Sequence, residues 1–398
     1  MAALAVTQTV GYGVLYYAFS ALLGPMSRDL GISTTTAAGA LTTAVLTSGL
    51  LSVPVGRWLD GRGGHLLMTT GSVLGGSAVL AWSQVQTVAQ LYAVFIAIGA
   101  ASAMVLYEPA FAVVVAVTAP ESRAKALLGI TLVAGFASSI FIPLTGYLLT
   151  AYDWRQTLLL LAALFAVVTV PLHAIALRRS APRPAETRRA RPRQALRDRG
   201  FWLLAAAFVL HSSALAVIAV HLVLYLTTLG HSPAVAATLT GLLGLLSVTG
   251  RITTTVALRW LPMAKITAIV LAVQGLAIAL LPFTGRHLAG AVPCLVLFGL
   301  GFGVASIATP AILLDRYGSA GYATIAGTLA TPVKIAKACA PLGGALLANA
   351  VGYRPVVLTV AAACIAAALL LRLVRGTAAP LQRPNSRAKK PLPPAALG

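Results

Sequence analysis

The chain has 398 residues, of which 59% are hydrophobic and only 9% charged. A soluble domain carries about 25% charged residues, so a soluble fold is excluded. The formal net charge of +21 would point to nucleic acid in a soluble protein; in a membrane protein it belongs to topology, and no nucleic-acid partner is expected.

The apolar runs are continuous rather than alternating, which predicts an all-α integral membrane protein and not a β-barrel. About 20 apolar residues at a rise of about 1.5 Å cross a bilayer core of about 30 Å. Twelve predicted spans are near that length: 5–26, 34–56, 66–84, 88–117, 126–150, 156–177, 201–229, 235–258, 264–283, 288–313, 322–349 and 354–373. Ala5–Gly24 is too long for a signal h-region and has no basic n-region before it, so it reads as span 1. Its abrupt start fits a native N-terminus upstream of Met1. Residues 1–177 and 201–376 form two halves, each of six spans. Residues 178–200 hold nine Arg, two acids and three Pro, the composition of a solvated linker. Residues 377–398 are rich in Pro, Lys and Arg and are expected to be disordered. Cys294, Cys339 and Cys364 lie in apolar runs without ligand spacing, and are expected to be buried packing residues rather than a metal site or a disulfide.

Basic residues orient the spans. With the N-terminus inside, internal segments hold 22 of the 29 Lys and Arg, external segments hold Arg28, Arg155, Arg286 and Arg354, and three lie within spans. That bias predicts the cytoplasmic membrane with both termini cytoplasmic. The halves also repeat. Gly49-Leu-Leu-Ser-Val53 recurs as Gly244-Leu-Leu-Ser-Val248, each followed by Gly-Arg, at Gly56-Arg57 and Gly250-Arg251. Pro143-Leu-Thr-Gly146 recurs as Pro341-Leu-Gly-Gly344. The offsets cluster near one value, which predicts parallel six-helix repeats.

Between spans 2 and 3 lies Gly56-Arg-Trp-Leu-Asp60-Gly-Arg62-Gly63-Gly-His65. It reads as a short turn joining antiparallel neighbours. Its glycines permit close approach of helix ends, and Asp60 suits a helix N-terminus. The stretch resembles the loop between helices 2 and 3 of the major facilitator superfamily, roughly G-x-x-x-D-R-x-G-R-R. Gly56, Asp60 and Gly63 fall in register; Gly61 stands where the family has Arg, with Arg62 one step late. The resemblance extends over residues 5–373. It implies a central cavity between two bundles, alternating access gated by Gly56, Asp60, Arg62 and Gly63, and a working monomer that moves a small solute.

Ionisable groups inside spans cost about 2.5–3.5 kcal/mol each and mark function by default. Lys334 and Lys337 lie mid-span 11, on nearly one face. Such a pair wants an anionic substrate group or a buried carboxylate. Glu108 is the only acid within a predicted span, and is a proton-coupling group, a partner for one of the lysines, or both. Arg251 corresponds by repeat to Arg57 at a helix end, yet its span continues apolar beyond it, which places it inside. Here the chain resembles the monocarboxylate porters and oxalate/formate exchangers, which carry a substrate-binding Arg in span 8; the exchangers add a Lys in span 11. The porters' Asp just before that Arg is missing. His211 and His221 in span 7 are protonatable cavity residues or packing histidines, too far apart for one metal site. Tyr12 and Tyr16 share a helical face and line the cavity or pack helices.

There is no Gly-rich nucleotide loop, catalytic triad or metal-ligand cluster, so neither an enzyme nor a cofactor is expected. Span 4 lacks the Arg usual in the superfamily's drug exporters, and Ser138–Tyr147 matches their span 5 pattern only at Pro143 and Gly146. The sequence therefore points to a secondary transporter of a small carboxylate, coupled to protons. A proton-driven exporter of a drug or metabolite is the second reading.

Overall fold

The computed structural model describes residues 1–178 and 192–374. Most of the expected linker, and the whole of the expected tail at 377–398, lie outside the described residues. The fold is all-helical and comprises the twelve spans of two six-helix halves. Nine helical stretches among the described residues are long and apolar enough to cross a membrane; spans 1, 3 and 11 supply the other three.

Capping chemistry sets several boundaries. Ser33 accepts from the Thr36 N–H to begin span 2, Thr34–Arg62. Thr87 and Gln90 form a capping box at span 4, and Asp153 caps span 6 through the Gln156 N–H. Such oxygens satisfy amides that the first helical turn leaves orphaned. Span 2 runs further than the sequence indicated. Gly56–Arg62 is helical, because Trp58 and Leu59 find apolar cover on a cluster of Val55, Leu67 and Ala103. The helix stops at Gly63, whose φ of 75° a glycine adopts without steric cost. Pro192–Arg197 is a short helix within the expected linker, and span 7 begins at Arg199.

Five spans are not simple α-helices. Span 1 comprises Ala2–Tyr12, a π-turn at Gly13–Tyr17, and Ala18–Asp29. Span 4 is Val88–Val105 and Tyr107–Val117; span 5 is Pro120–Ala134 and Ala137–Ala151; span 10 is Leu288–Leu300 and Val304–Tyr317. Span 6 ends in a π-turn at Leu172–Ala176. Span 11, Tyr322–Val351, stays helical through Pro332 and Pro341.

Core packing gives the molecule its polarity. At the end bearing the loops between spans 2 and 3, 4 and 5, and 10 and 11, one apolar core runs through both halves. It joins Ala110, Val113 and Leu127 to Ile307, Leu313 and Ala323. Towards the other end each half keeps its own core, around Phe19, Trp82 and Phe95 in one and around Leu222, Phe298 and Val360 in the other. The halves therefore close on each other at the basic-loop end and part beyond it. The closure needs two glycines. A Cβ at Gly56 would run into the Ala323 carbonyl, and one at Gly327 into that of Ser52.

Cys294 and Cys364 are buried as expected, but Cys339 is exposed. It follows Lys337 in the second half of span 11, where few side chains are covered by a neighbouring helix.

Where the chain enters span 7, Asp198 takes the Gly200 N–H at 2.9 Å, Arg316 Nε at 2.9 Å and the Tyr317 hydroxyl at 2.8 Å. Arg316 also donates to the Val374 carbonyl at 2.9 Å, tying spans 7, 10 and 12 together. Partial burial pushes the Asp198 carboxyl up, but hydrogen bonds from Gly200, Tyr317 and Arg316 outweigh it and hold the carboxyl below the usual carboxylate value. A lowered folded-state pKa stabilises above the unfolded value of about 3.9 and is lost as pH falls through the folded value. Asp198→Asn is expected to lower the melting temperature in detergent at pH 7, and its gap to wild type should close below about pH 4.

Candidate functional site

The break in span 4 builds the site. Pro109 has no N–H to give the Val105 carbonyl, its partner in a continuous helix. Gln8 Nε2 of span 1 fills that place at 2.6 Å. The chain restarts at Tyr107, which puts Glu108 in the first turn of a new helix, where the dipole favours negative charge. Span 10 breaks in a similar way, and Gln274 Nε2 donates to its Phe298 carbonyl at 2.7 Å.

Glu108 Oε1 lies 2.9 Å from Lys334 Nζ across the halves. Lys334 also donates to Ser48 Oγ at 3.0 Å and Ser52 Oγ at 3.4 Å. Span 2 comes this close because Gly49 faces the Lys334 Cβ and Thr331 Oγ1 donates to the Gly49 carbonyl at 2.8 Å. Lys334 is thus held by a carboxylate and two hydroxyls. Lys337, one turn on, is exposed and has no carboxylate partner among the described residues. Its ammonium sits 5.6 Å from the Tyr16 ring centroid.

Aromatic rings continue from there. Tyr16 meets Tyr17 at 5.2 Å, Tyr12 meets Tyr107 at 4.6 Å, and Tyr107 stacks on Phe111 at 5.0 Å. The π-turn in span 1 alters the helical phase: Tyr12 and Tyr16 both meet Tyr17, at 6.5 and 5.2 Å, while Tyr12 alone packs on Tyr107 and Tyr16 alone lies beside Lys337. π-turns interrupt helices most often at functional sites.

The structure brings together Glu108, Lys334, Lys337, Tyr12 and Tyr16. Arg251 is buried, with Nε 3.4 Å from the Gly303 carbonyl and Nη1 3.1 Å from the Thr131 carbonyl. These acceptors lie at the breaks of spans 10 and 5, so Arg251 bridges the halves through backbone oxygens. His211 is buried, and neither ring nitrogen finds a partner among the described residues. His221 Nε2 donates to the Pro341 carbonyl at 2.9 Å, beside Tyr353. Neither histidine contacts the Glu108–Lys334 pair.

Asp60 caps a helix, but in the opposite half rather than on neighbouring span 3. Its oxygens accept from Ala323 N at 3.1 Å, Thr324 N at 2.8 Å and Thr324 Oγ1 at 2.6 Å, at the first turn of span 11. Arg62 stacks over Trp58 at 4.4 Å.

Sequence reasoning missed Ser48, Ser52, Tyr107 and His173. His173 is buried between Ser72 Oγ at 2.6 Å and Thr7 Oγ1 at 3.0 Å. Pro109 was the one available signal for the span 4 break. No group of three or more His, Cys, Asp or Glu side chains able to hold a metal ion occurs among the described residues.

Two six-helix halves, with spans broken at mid-length and ionisable groups inside the spans, have the architecture of a membrane transporter. The Major Facilitator Superfamily profile matches residues 4–333, and the chain belongs to that superfamily. It is therefore a multi-pass membrane protein of a family that carries small-molecule solutes and is generally not enzymatic. No curated protein matches the sequence. Among solved structures, the human organic anion transporter MFSD10 (TETRAN) is 17% identical with a TM-score of 0.71, covering 93% of this chain and 99% of that one. The E. coli fucose:proton symporter FucP is 14% identical with a TM-score of 0.74, covering 94% and 98%; it is also solved in the outward conformation. The proton:xylose symporter XylE is 11% identical with a TM-score of 0.71, covering 93% and 95%. Identities this low establish a shared fold and nothing about substrate.

The Glu108–Lys334 pair is partly buried, and removing one member of such a pair strands the other charge, whereas removing both does not. Lys334→Met and Glu108→Gln are each expected to cost about 1–3 kcal/mol of stability. The double variant should recover most of that loss, as a double-mutant cycle of thermal unfolding in detergent would register.

Proposed function

We propose that the protein is a proton-coupled transporter of a small carboxylate, in the manner of the monocarboxylate and oxalate/formate branch, and that Lys337 binds the carboxylate. One observation carries this reading. Of the two lysines inside span 11, Lys334 is neutralised by Glu108, whereas Lys337 makes no ion pair among the described residues and lies beside the Tyr16 ring of the other half. An ammonium without a carboxylate partner there attracts an anion. Tyr12 and Tyr16 line the same space and supply hydroxyls and apolar ring area to the solute. Arg251 adds positive charge from its bridging position.

Glu108 couples the proton. Protonating it removes the charge that neutralises Lys334 and frees a second ammonium for the anion. Proton and anion then bind better together than apart, the linkage that symport requires. His211 and His221 are the further protonatable groups of span 7. The end of span 2 at Gly56, Asp60, Arg62 and Gly63 gates the cycle, because opening the closed end must pull Asp60 from the span 11 amides. We place the protein in the cytoplasmic membrane with both termini cytoplasmic, working as a monomer without cofactor.

The second reading is a proton-driven exporter of a cationic drug or metabolite. The faces of Tyr12, Tyr107 and Phe111 support it, since aromatic faces attract cations. In that case Glu108 would recognise the cation.

Uptake of radiolabelled carboxylates into proteoliposomes separates the two. An inward proton gradient should stimulate entry of one acid, and Lys337→Ala should reduce that entry at least tenfold with membrane insertion intact. Unchanged uptake by Lys337→Ala would remove the anion reading. Cationic dye exchanging for protons in a Glu108-dependent way would establish the exporter.

A further inference from the structure

At the closed end, beside the interface, a cleft of about 240 Å³ lies between the halves. Span 5 gives one wall, with Leu127 and Leu128. Spans 8, 9 and 10 give the other, with Leu258, Met263 and Ile307. The walls are apolar. The cleft also has two cationic residues, Lys125 from one half and Arg259 from the other, both exposed and neither in an ion pair among the described residues.

Two features identify what fits. Lys125 lies near the start of span 5, and Arg259 directly follows span 8. By the order of the spans, both sit at the basic-loop end, the level of lipid headgroups. Trp260, next to Arg259, is 73% exposed; exposed tryptophan at a span end is the usual anchor of the membrane interface. An apolar cleft within the bilayer, with two unpaired cations at its surface, matches an amphiphile with an anionic head and an acyl tail. A cation or a sugar would leave those charges unanswered.

We infer that this cleft is an anionic-phospholipid site whose occupant bridges the two halves at their closed end. The headgroup phosphate sits between Lys125 and Arg259, and acyl chain fills the apolar interior. Because each cation comes from a different half, the lipid binds best while this end is closed. Basic pockets between transmembrane helices bind acidic headgroups on the same physical grounds.

Native mass spectrometry of the purified full chain tests this, with phosphatidylglycerol and phosphatidylcholine of matched acyl chains as probes. Wild type should retain phosphatidylglycerol over phosphatidylcholine by roughly tenfold or more. Lys125→Gln/Arg259→Gln should erase that preference. Ala311→Trp, which fills the cleft and keeps both cations, should displace the phosphatidylglycerol, and it serves as the test if the charge variant fails to fold. Equal retention of the two lipids by wild type would overturn the assignment. So would unchanged preference in the charge variant, phosphatidylglycerol still bound to the plugged variant, or its displacement by inorganic phosphate alone, which would make the site one for a free anion.

Discussion

A charge in the middle of a bilayer must be answered or expelled, and the answer given to Lys334 organises this molecule. Its ammonium takes Glu108 from span 4 and Ser48 and Ser52 from span 2. For that to happen, span 4 must break so that Glu108 opens a new helix, and span 2 must approach span 11 along glycine. Both conditions are met by residue types that permit nothing else as well: Pro109 breaks the ladder, and Gly49 lets the Lys334 Cβ come close. The pair crosses between the halves, and this is the basis of the proposed coupling between the charge state of the site and their relative position.

Three contacts across the halves share this logic while using different chemistry. Asp60 holds the free amides of span 11, Lys334 holds Glu108, and Arg251 holds carbonyls at the breaks of spans 5 and 10. Each satisfies a polar group that hydrocarbon would leave unpaired. In the proposed alternating-access cycle each is exchanged for another partner, water or solute, as the halves part. The continuous apolar core at the closed end adds non-directional adhesion to these contacts. The separate cores at the other end leave the halves free to part there.

The spans were legible in the sequence because hydropathy is local, and the repeat because Gly49–Val53 and Gly244–Val248 are identical strings. Glu108 stood out as the lone acid among twelve apolar runs, and its pairing with a lysine was one of the readings open from composition alone. Arg251 was legible as an intramembrane charge, but its acceptors are main-chain oxygens, which no side-chain pattern reveals. Asp60 was expected at a helix end, yet only the packing of span 2 on span 11 shows which helix. The exposure of Cys339 escaped for a related reason. Apolar composition cannot distinguish a face covered by a neighbouring helix from one left uncovered.

Direct binding to the purified protein tests the central claim, that Lys337 is the unpaired cation awaiting an anion. Titration calorimetry with a panel of small carboxylates, on wild type and on Lys337→Gln, makes the comparison without depending on transport. The account predicts one acid bound by wild type, proton uptake on binding as Glu108 is released from Lys334, and binding lost in the variant. Equal binding of that acid by the two proteins, or binding of an organic cation that Glu108→Gln abolishes, would contradict it.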